Sequence, residues 1–253
     1  TKKGKQSPVA YELSANAWLS FAKSEKLIVD AGSLRANYVY AYKQSSSDLK
    51  KRWSIYECLH GSLIFKNKTY LAHGGKWFEI DKHFVSEVNK KINSIQTATI
   101  TLPPIASLKE HEGVYNARVV KASKGTLFLL DKNNISHGGG RSRIEVCDLL
   151  SDQGHLVCVK SWGGGSASLS HLFQQASVAA KLMSEDDSFN VKVKAKLSSA
   201  FHPVWDKTMA KGSSPEIVLA VMRGRPAINL PFFAKLSLSM CVTQLRQMKF
   251  NPT

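Results

Sequence analysis

The sequence predicts an α/β protein, with a mixed sheet in its larger part and a smaller α+β lobe before it. Short apolar runs of strand length alternate with longer segments whose apolar residues recur every three to four positions. Hydrophobic residues make up 43% and charged residues 21% of the 253 residues, which is typical of globular proteins. No stretch approaches the roughly 18 apolar residues that a membrane-spanning helix needs. We therefore expect neither a membrane-embedded nor a disordered chain.

The first hundred residues predict the small α+β lobe. Residues 11–22 have apolar side chains at helical spacing, whereas residues 53–80 have the pattern of successive short strands. Turn signals at Asn67 and at Gly74-Gly75 separate these strands. Residues 81–95 then predict a helix, because apolar residues recur in them every four positions.

A proline pair, Pro103-Pro104, predicts an extended connector between the lobe (residues 1–100) and a second domain (residues 101–253). The second domain reads helix, strand, strand, strand, helix, strand, helix, an order that predicts a compact α/β unit with a mixed sheet. These predicted elements are residues 110–122, 126–131, 143–150, 155–162, 168–183, 216–222 and 232–250.

The charge balance predicts a polyanionic partner. Lys and Arg number 35 against 19 Asp and Glu, which gives a net charge of +16 and a pI near 9.7. Nucleic acid is the commonest partner of such a protein, so we predict binding to DNA or RNA. One alternative is an evenly spread excess that serves solubility alone. An anionic membrane surface is a weaker one, because no basic amphipathic helix with an aromatic face stands out.

Basic segments and one histidine are the predicted phosphate contacts. No motif for recognising bases accompanies them, so we expect binding that is independent of sequence and strongly salt-dependent. Trp53 follows the first segment, where it would either stack on a base or pack in the core. The predicted nucleic-acid-binding residues are Lys50, Lys51, Arg52, Lys192, Lys194, Lys196, Arg223, Arg225 and His171.

The cysteines predict neither disulfides nor a zinc site. Cys58, Cys147, Cys158 and Cys241 are scattered, with no CxxC pair and no histidine at zinc-finger spacing. We therefore expect no structural zinc. The absence of a recognisable signal peptide adds the expectation of a reducing, cytoplasmic location.

Two predicted neighbouring strands carry residues suited to phosphodiester hydrolysis. Asp148 ends one strand and Lys160 lies on the next, across a tight turn, so their side chains can lie side by side. Carboxylates hold Mg²⁺ or Mn²⁺, and a nearby cation orients water or stabilises the charged transition state. Glu112 on the preceding helix is the second predicted metal ligand, and Gln175 on the following helix would orient the site. Turn capping, solvation and helix-dipole contacts are the plainer explanations of these residues.

This ordered set resembles the PD-(D/E)xK nuclease superfamily in its RecB-like form, over about residues 110–250. The resemblance implies a restriction-endonuclease-like core with a mixed central sheet flanked by helices. It also implies that Asp148 and Glu112 bind the metal ion, while Lys160 and Gln175 complete the catalytic set.

Cys158 departs from the superfamily pattern, which has Glu or Asp at this position, and a thiolate is a poor ligand for Mg²⁺. Glu145 is an alternative ligand, but strict alternation along one strand would put it on the face opposite Asp148 unless a bulge intervenes. Two interpretations therefore stay open, a metal-dependent nuclease and a non-catalytic binding module on a degenerate nuclease fold. A scaffold that docks an acidic protein is a third.

A second resemblance covers most of residues 53–250. The segments RSRIEVCDLLSDQGHLVCVKSWGGG, HEGVYNARV and LPFFAKLSLSMCVTQLRQM are similar to a sporadically distributed bacterial family catalogued as a domain of unknown function. This resemblance implies a bacterial cytoplasmic protein with a role in defence against phage. Other proteins of a defence system are then candidate partners.

Overall fold

The computed structural model describes residues 14–42, 49–131, 133–137, 142–163, 166–222 and 229–253. The chain forms two compact units, Thr1–Lys82 and His83–Thr253. Among the described residues, no helix is both long enough and apolar enough to cross a membrane.

In its described residues, the first unit combines two short helices with two small antiparallel sheets. Ser14 caps the first helix through the N–H of Ala17, and Asp30 forms a capping box with Ser33 at the second. One sheet pairs β1 with β2, and the other has the order β3-β4-β5. The elements are α1 (Ala15–Ser24), α2 (Ala31–Ala36), β1 (Tyr38–Tyr42), β2 (Leu49–Ser54), β3 (Gly61–Phe65), β4 (Lys68–His73) and β5 (Lys76–Glu79).

The second unit is built on a five-stranded mixed sheet of order β12-β11-β10-β9-β6. Strand β9 pairs antiparallel with both β6 and β10. Strand β11 pairs parallel with β10, and β12 pairs parallel with β11. A separate hairpin, β7-β8, interrupts the chain between β6 and β9. The strands are β6 (Leu127–Leu129), β7 (Ile135–His137), β8 (Ser142–Ile144), β9 (Leu149–Ser151), β10 (Leu156–Ser161), β11 (Glu216–Met222) and β12 (Asn251–Pro252).

Helices pack around this sheet. The α4 helix contributes Tyr115 and Val119 to a core that also contains Val157 and Val159 of β10. The α5 helix packs on β10, β11 and α8. Its apolar residues at helical spacing are buried, among them Leu169, Leu172 and Phe173. The helices are α3 (Lys82–Asn93), α4 (Glu112–Ala122), α5 (Ala167–Glu185), α6 (Asp187–Lys194), α7 (His202–Thr208) and α8 (Phe232–Gln247).

The domain boundary near residue 100 stays a prediction. All of the α3 helix except its first residue, Lys82, lies in the second unit. Its contacts with α8 explain this. Phe84 packs edge-on against Phe232 with ring centroids 5.9 Å apart, and Lys235 donates to the Asn89 amide oxygen at 3.0 Å. The proline pair lies in an irregular connector inside this unit, as the sequence predicts for its local conformation.

The predicted mixed α/β class is confirmed, and most elements lie where the sequence predicts them. The prediction of one strand over residues 143–150 is wrong, because the chain forms β8, leaves the extended pairing over residues 145–148, and then enters β9. Helices α6 and α7 and the short β12 were not predicted. The α6 helix follows α5 after the single residue Asp186, whose side chain caps it through the N–H of Phe189.

Candidate functional site

Asp148 lies immediately before β9, and its backbone N–H and carbonyl are both hydrogen-bonded to neighbouring segments of the chain. Its N–H donates to the carbonyl of Val157 on β10 at 2.9 Å. Its own carbonyl accepts from the N–H groups of Leu130 and Asp131, at 2.8 and 3.0 Å, just beyond β6. The peptide units around Asp148 therefore join the end of β6 to β10, and they bring Asp131 close to Asp148.

The Asp148 carboxylate is largely buried and accepts two hydrogen bonds. The N–H of Val159 donates to Oδ2 at 2.6 Å, and the Asn116 side chain on α4 donates to Oδ1 at 3.2 Å. The pKa of Asp148 is raised to about 7. Burial is the largest cause, the charges of Glu145, Asp131 and Glu112 act in the same direction, and the Val159 hydrogen bond opposes them. Neutral pH thus lies close to its titration midpoint.

Asp131, Glu145 and Asp148 form a carboxylate cluster, in which one ligand atom from each residue lies within 4.8 Å of the others. Glu145 can join it because residues 145–148 are not extended strand, so side-chain alternation does not apply there. The amide of Gln175 on α5 donates to Glu145 Oε2 at 3.2 Å. Three carboxylate oxygens at this spacing are a donor set that suits Mg²⁺, Mn²⁺ or Ca²⁺.

Lys160 and Glu112 form an ion pair beside this cluster. The Lys160 ammonium lies 3.1 Å from Glu112 Oε2, and the N–H of Ser161 donates to Glu112 Oε1 at 2.9 Å. Glu112 and Asn116 are one turn apart on α4, so Lys160 and Asp148 both contact the same face of that helix. Glu112 lies outside the carboxylate cluster, and its role as a metal ligand stays a prediction.

Cys158 is a buried thiol. Burial raises its pKa well above the usual range, and the neighbouring Cys147 and Asp148 raise it further. Burial does the same to Cys147. Cys158 therefore stays protonated at neutral pH and offers no thiolate to a metal ion.

The predicted nucleic-acid-binding residues are spread over the chain. In the first unit, the Arg52 guanidinium lies 4.9 Å from the Tyr38 ring centre, while Lys50 and Lys51 lie on β2 with side chains outside the described residues. Arg223 and Arg225 also lie outside them.

The remaining predicted contacts lie on α5 and around α6 in the second unit. His171 and Lys196 are exposed. Lys192 donates to the carbonyl of Ser136 at 3.3 Å, and Lys194 pairs with Asp206 at 2.6 Å. Lys194 is thus partly neutralised, whereas His171 and Lys196 are accessible to a polyanion.

A second polar group, the connector network, lies where β10 begins. His155 bonds Ser151 Oγ through Nδ1 at 2.7 Å and Thr99 Oγ1 through Nε2 at 2.8 Å. Thr99 and Thr253 donate three hydrogen bonds to Glu216, whose pKa is lowered: burial opposes its charge, and these hydrogen bonds outweigh burial. A cavity of about 380 Å³ lies beside it, between the connector, α4 and the β9-β10 turn.

Two residues of the site, Asp131 and Asn116, were not predicted from the sequence. Asp131 directly follows the apolar run of residues 127–130, much as Asp148 lies at the end of a predicted strand. Asn116 is a polar residue on the buried face of α4, four residues after Glu112. A polar residue in an otherwise apolar helical face indicates a buried hydrogen-bond partner, and this pattern is visible in the sequence.

The comparisons with known proteins identify a family without assigning an activity. No curated protein and no solved structure matches the chain. A family model described as "Family of unknown function (DUF6119)" matches residues 1–253. The chain therefore belongs to DUF6119, a family of unknown function.

Proposed function

We propose that this protein binds nucleic acid and hydrolyses its phosphodiester bonds with a divalent metal ion held by the carboxylate cluster. The observation that carries the proposal is the grouping of Asp131, Glu145 and Asp148 within 4.8 Å, beside the Lys160–Glu112 pair. Action in bacterial defence against phage, in the cytoplasm, is the setting that the resemblance implies.

The order of elements supports a restriction-endonuclease-like core. Helix α4, strands β6, β9 and β10, helix α5 and strand β11 follow one another around a mixed sheet. The residues of the resemblance fall on this framework in the expected order, with Glu112 on α4, Asp148 before β9, Lys160 on β10 and Gln175 on α5. The hairpin β7-β8 is an addition to that order.

The carboxylate cluster fits a hard divalent cation. Its donors are carboxylate oxygens, and like charges this close repel one another unless a proton or a cation intervenes. When bound, Mg²⁺ or Mn²⁺ would lower the pKa of a bound water and stabilise negative charge on the phosphoryl oxygens. Glu145 would supply the carboxylate that the superfamily pattern has at the position of Cys158.

The surrounding residues would position the reacting groups. Gln175 holds Glu145 through its amide, and the Val159 N–H holds Asp148 against β10. Glu112 orients the Lys160 ammonium, which would contact the scissile phosphate and stabilise the charge that develops there.

The net charge supports a polyanionic substrate. Residues 83–253 contain 21 Lys and Arg against 12 Asp and Glu. Several of those acids are held in the carboxylate cluster or in the ion pairs Glu112–Lys160 and Asp206–Lys194. The excess of cations over the remaining surface would attract phosphates of DNA or RNA without selecting a sequence.

A non-catalytic binding module is the second candidate, and Cys158 favours it. If Glu145 does not replace the missing acid, the basic residues would hold nucleic acid without cleaving it. The two candidates differ in metal-dependent cleavage, because both predict salt-dependent binding.

The test is cleavage of plasmid DNA and of single-stranded RNA with Mg²⁺ or Mn²⁺, using wild type, Asp148→Ala and Lys160→Ala. Asp152→Ala and Lys121→Ala are matched controls at exposed positions. We expect cleavage by wild type and both controls, and a loss of at least about 100-fold in the two site variants with nucleic-acid binding retained.

Three other outcomes are informative. Binding without cleavage by wild type would favour the module. Equal cleavage by Asp148→Ala and wild type would refute the site. Retention on an acidic protein but not on nucleic acid at equal salt would favour the scaffold.

A further inference from the structure

The Asn116 side chain is fully buried in α4, yet only half of its amide is satisfied. Its Nδ2 donates to Asp148 Oδ1 at 3.2 Å, whereas its Oδ1 is buried with no hydrogen-bond partner among the described residues. A buried oxygen without a partner costs free energy of folding, and an apolar residue of similar size would avoid that cost. Its helical neighbours in the core, Tyr115 and Val119, show that apolar side chains fit this face.

The hydrogen bond from Asn116 leaves Asp148 able to bind a cation. An ionised carboxylate has about four acceptor positions. Asn116 occupies one position on Oδ1 and the Val159 N–H occupies one on Oδ2, so each oxygen retains acceptor capacity. A lysine or arginine in place of Asn116 would neutralise the carboxylate, whereas a neutral amide orients it and leaves its charge in place.

The two donors come from different elements and restrict the carboxylate from both sides. Val159 is on β10 and Asn116 is on α4. Together they fix the rotation of the Asp148 side chain, on which its position relative to Asp131 and Glu145 depends.

We infer that Asn116 is a positioning residue of the metal site: its amide holds the Asp148 carboxylate in the orientation at which it meets Asp131 and Glu145. This inference rests on the proposed function, because it requires that the carboxylate cluster binds a divalent cation. Asn116 touches neither substrate nor metal in this role and acts through Asp148 alone.

The test compares Mn²⁺ affinity with folding stability in Asn116→Leu, a replacement of similar size without polar atoms. Mn²⁺ binding is measured by titration calorimetry and by the electron paramagnetic resonance of free Mn²⁺, and stability by urea unfolding without metal. We expect Mn²⁺ affinity to fall about 10–100-fold, as for other residues that orient a metal ligand. Stability should change little, because removal of the orphaned oxygen offsets the loss of the hydrogen bond to Asp148. A merely structural role would lower stability and leave the affinity of the folded protein unchanged.

Asn190→Leu is the matched control. Asn190 also has a buried Oδ1 without a partner among the described residues, and its Nδ2 donates to the carbonyl of Met183 instead of to a carboxylate. This variant should keep wild-type Mn²⁺ affinity. If Asn116→Leu does not fold, Asn116→Ser serves as the second variant, with the same expected loss of affinity.

The outcomes separate this inference from the proposed function. Mn²⁺ binding by wild type with unchanged affinity in the folded Asn116 variants would overturn the inference and leave the metal site standing. Absence of Mn²⁺ binding in wild type would overturn both.

Discussion

The connector network lies where strand β10 begins, and the carboxylate cluster lies farther along the same strand. The two differ in the hydrogen bonds and charges that surround their acids. In the connector network, Glu216 accepts three hydrogen bonds and His155 bonds through both ring nitrogens. In the carboxylate cluster, three acids crowd together and the pKa of Asp148 rises to about 7. One region lowers the pKa of its acid, and the other raises it. The ionised acid of the first region therefore stabilises the fold, whereas the ionised Asp148 of the second destabilises it in the absence of a cation.

The largest expected effect comes from neutralising Asp148. Because its folded-state pKa is raised from 3.8 to about 7, ionisation costs stability as pH rises between these values. Asp148→Asn should therefore raise the free energy of unfolding by about 2–4 kcal/mol at pH 8 and leave it unchanged near pH 3. Urea unfolding across pH without metal measures this, with the exposed Asp152→Asn as control. A gain that does not depend on pH would contradict the argument.

Removing the acid of the connector network should have the opposite sign. Glu216→Ala leaves Thr99 and Thr253 without their acceptor, and we expect a loss of about 2–3 kcal/mol at pH 7. Since the pKa of Glu216 is lowered, its ionised form contributes stability that is fully present above the ordinary glutamate pKa and is lost as the pH falls through the lowered folded-state pKa. The difference from wild type should shrink there. Glu216→Gln, which keeps one acceptor oxygen, is the control for hydrogen bonding without charge.

The turn between β9 and β10 lies at the same end of β10 as the connector network, and its backbone conformation can be tested by substitution. Gly154 has φ +91°, and a Cβ there would overlap Thr208 Oγ1 on α7. Gly154→Ala should destabilise the protein by about 2 kcal/mol, from backbone strain and from this overlap. In the double variant with Thr208→Ala, the part of the lost stability that comes from the overlap should be recovered, and the part from backbone strain should remain. Full recovery would show that the backbone conformation contributes nothing.

The smallest effect is expected at Glu145. Its charge is one of the causes that raise the pKa of Asp148. Glu145→Gln should therefore lower the pKa of Asp148 by about half a unit to one unit, which corresponds to about 1 kcal/mol. A carbon-13 titration of the Asp148 carboxyl group measures it, and Asp152→Asn should cause no comparable shift.

The sequence predicted the framework well because the framework depends on local periodicity. The strand over residues 216–222 and the long helix α5 have unambiguous apolar patterns, and both formed close to their predicted bounds. The composition of the carboxylate cluster was harder to predict. It depends on Asp148 bonding to Leu130 and Asp131 across the sheet, and on the chain leaving the strand conformation at Glu145. Such long-range backbone contacts leave no periodic signal in the sequence.

The Lys160–Glu112 ion pair and the buried Asn116 amide show the same limit of prediction from sequence. The sequence predicted Glu112 and Lys160 as site residues, but not that they pair with each other. Asn116 has a plain local signal in an apolar helical face, yet only the position of Asp148 explains it.

The four free cysteines provide the two units with built-in chemical reporters. Cys58 in the first unit is half-buried, whereas Cys147, Cys158 and Cys241 are buried in the second. A thiol-specific reagent that reacts faster than the chain recloses would label the second unit only as fast as that unit opens. Mass spectrometry of the labelled peptides would then time the opening of the second unit, with the half-buried Cys58 of the first unit as the reference for direct reaction.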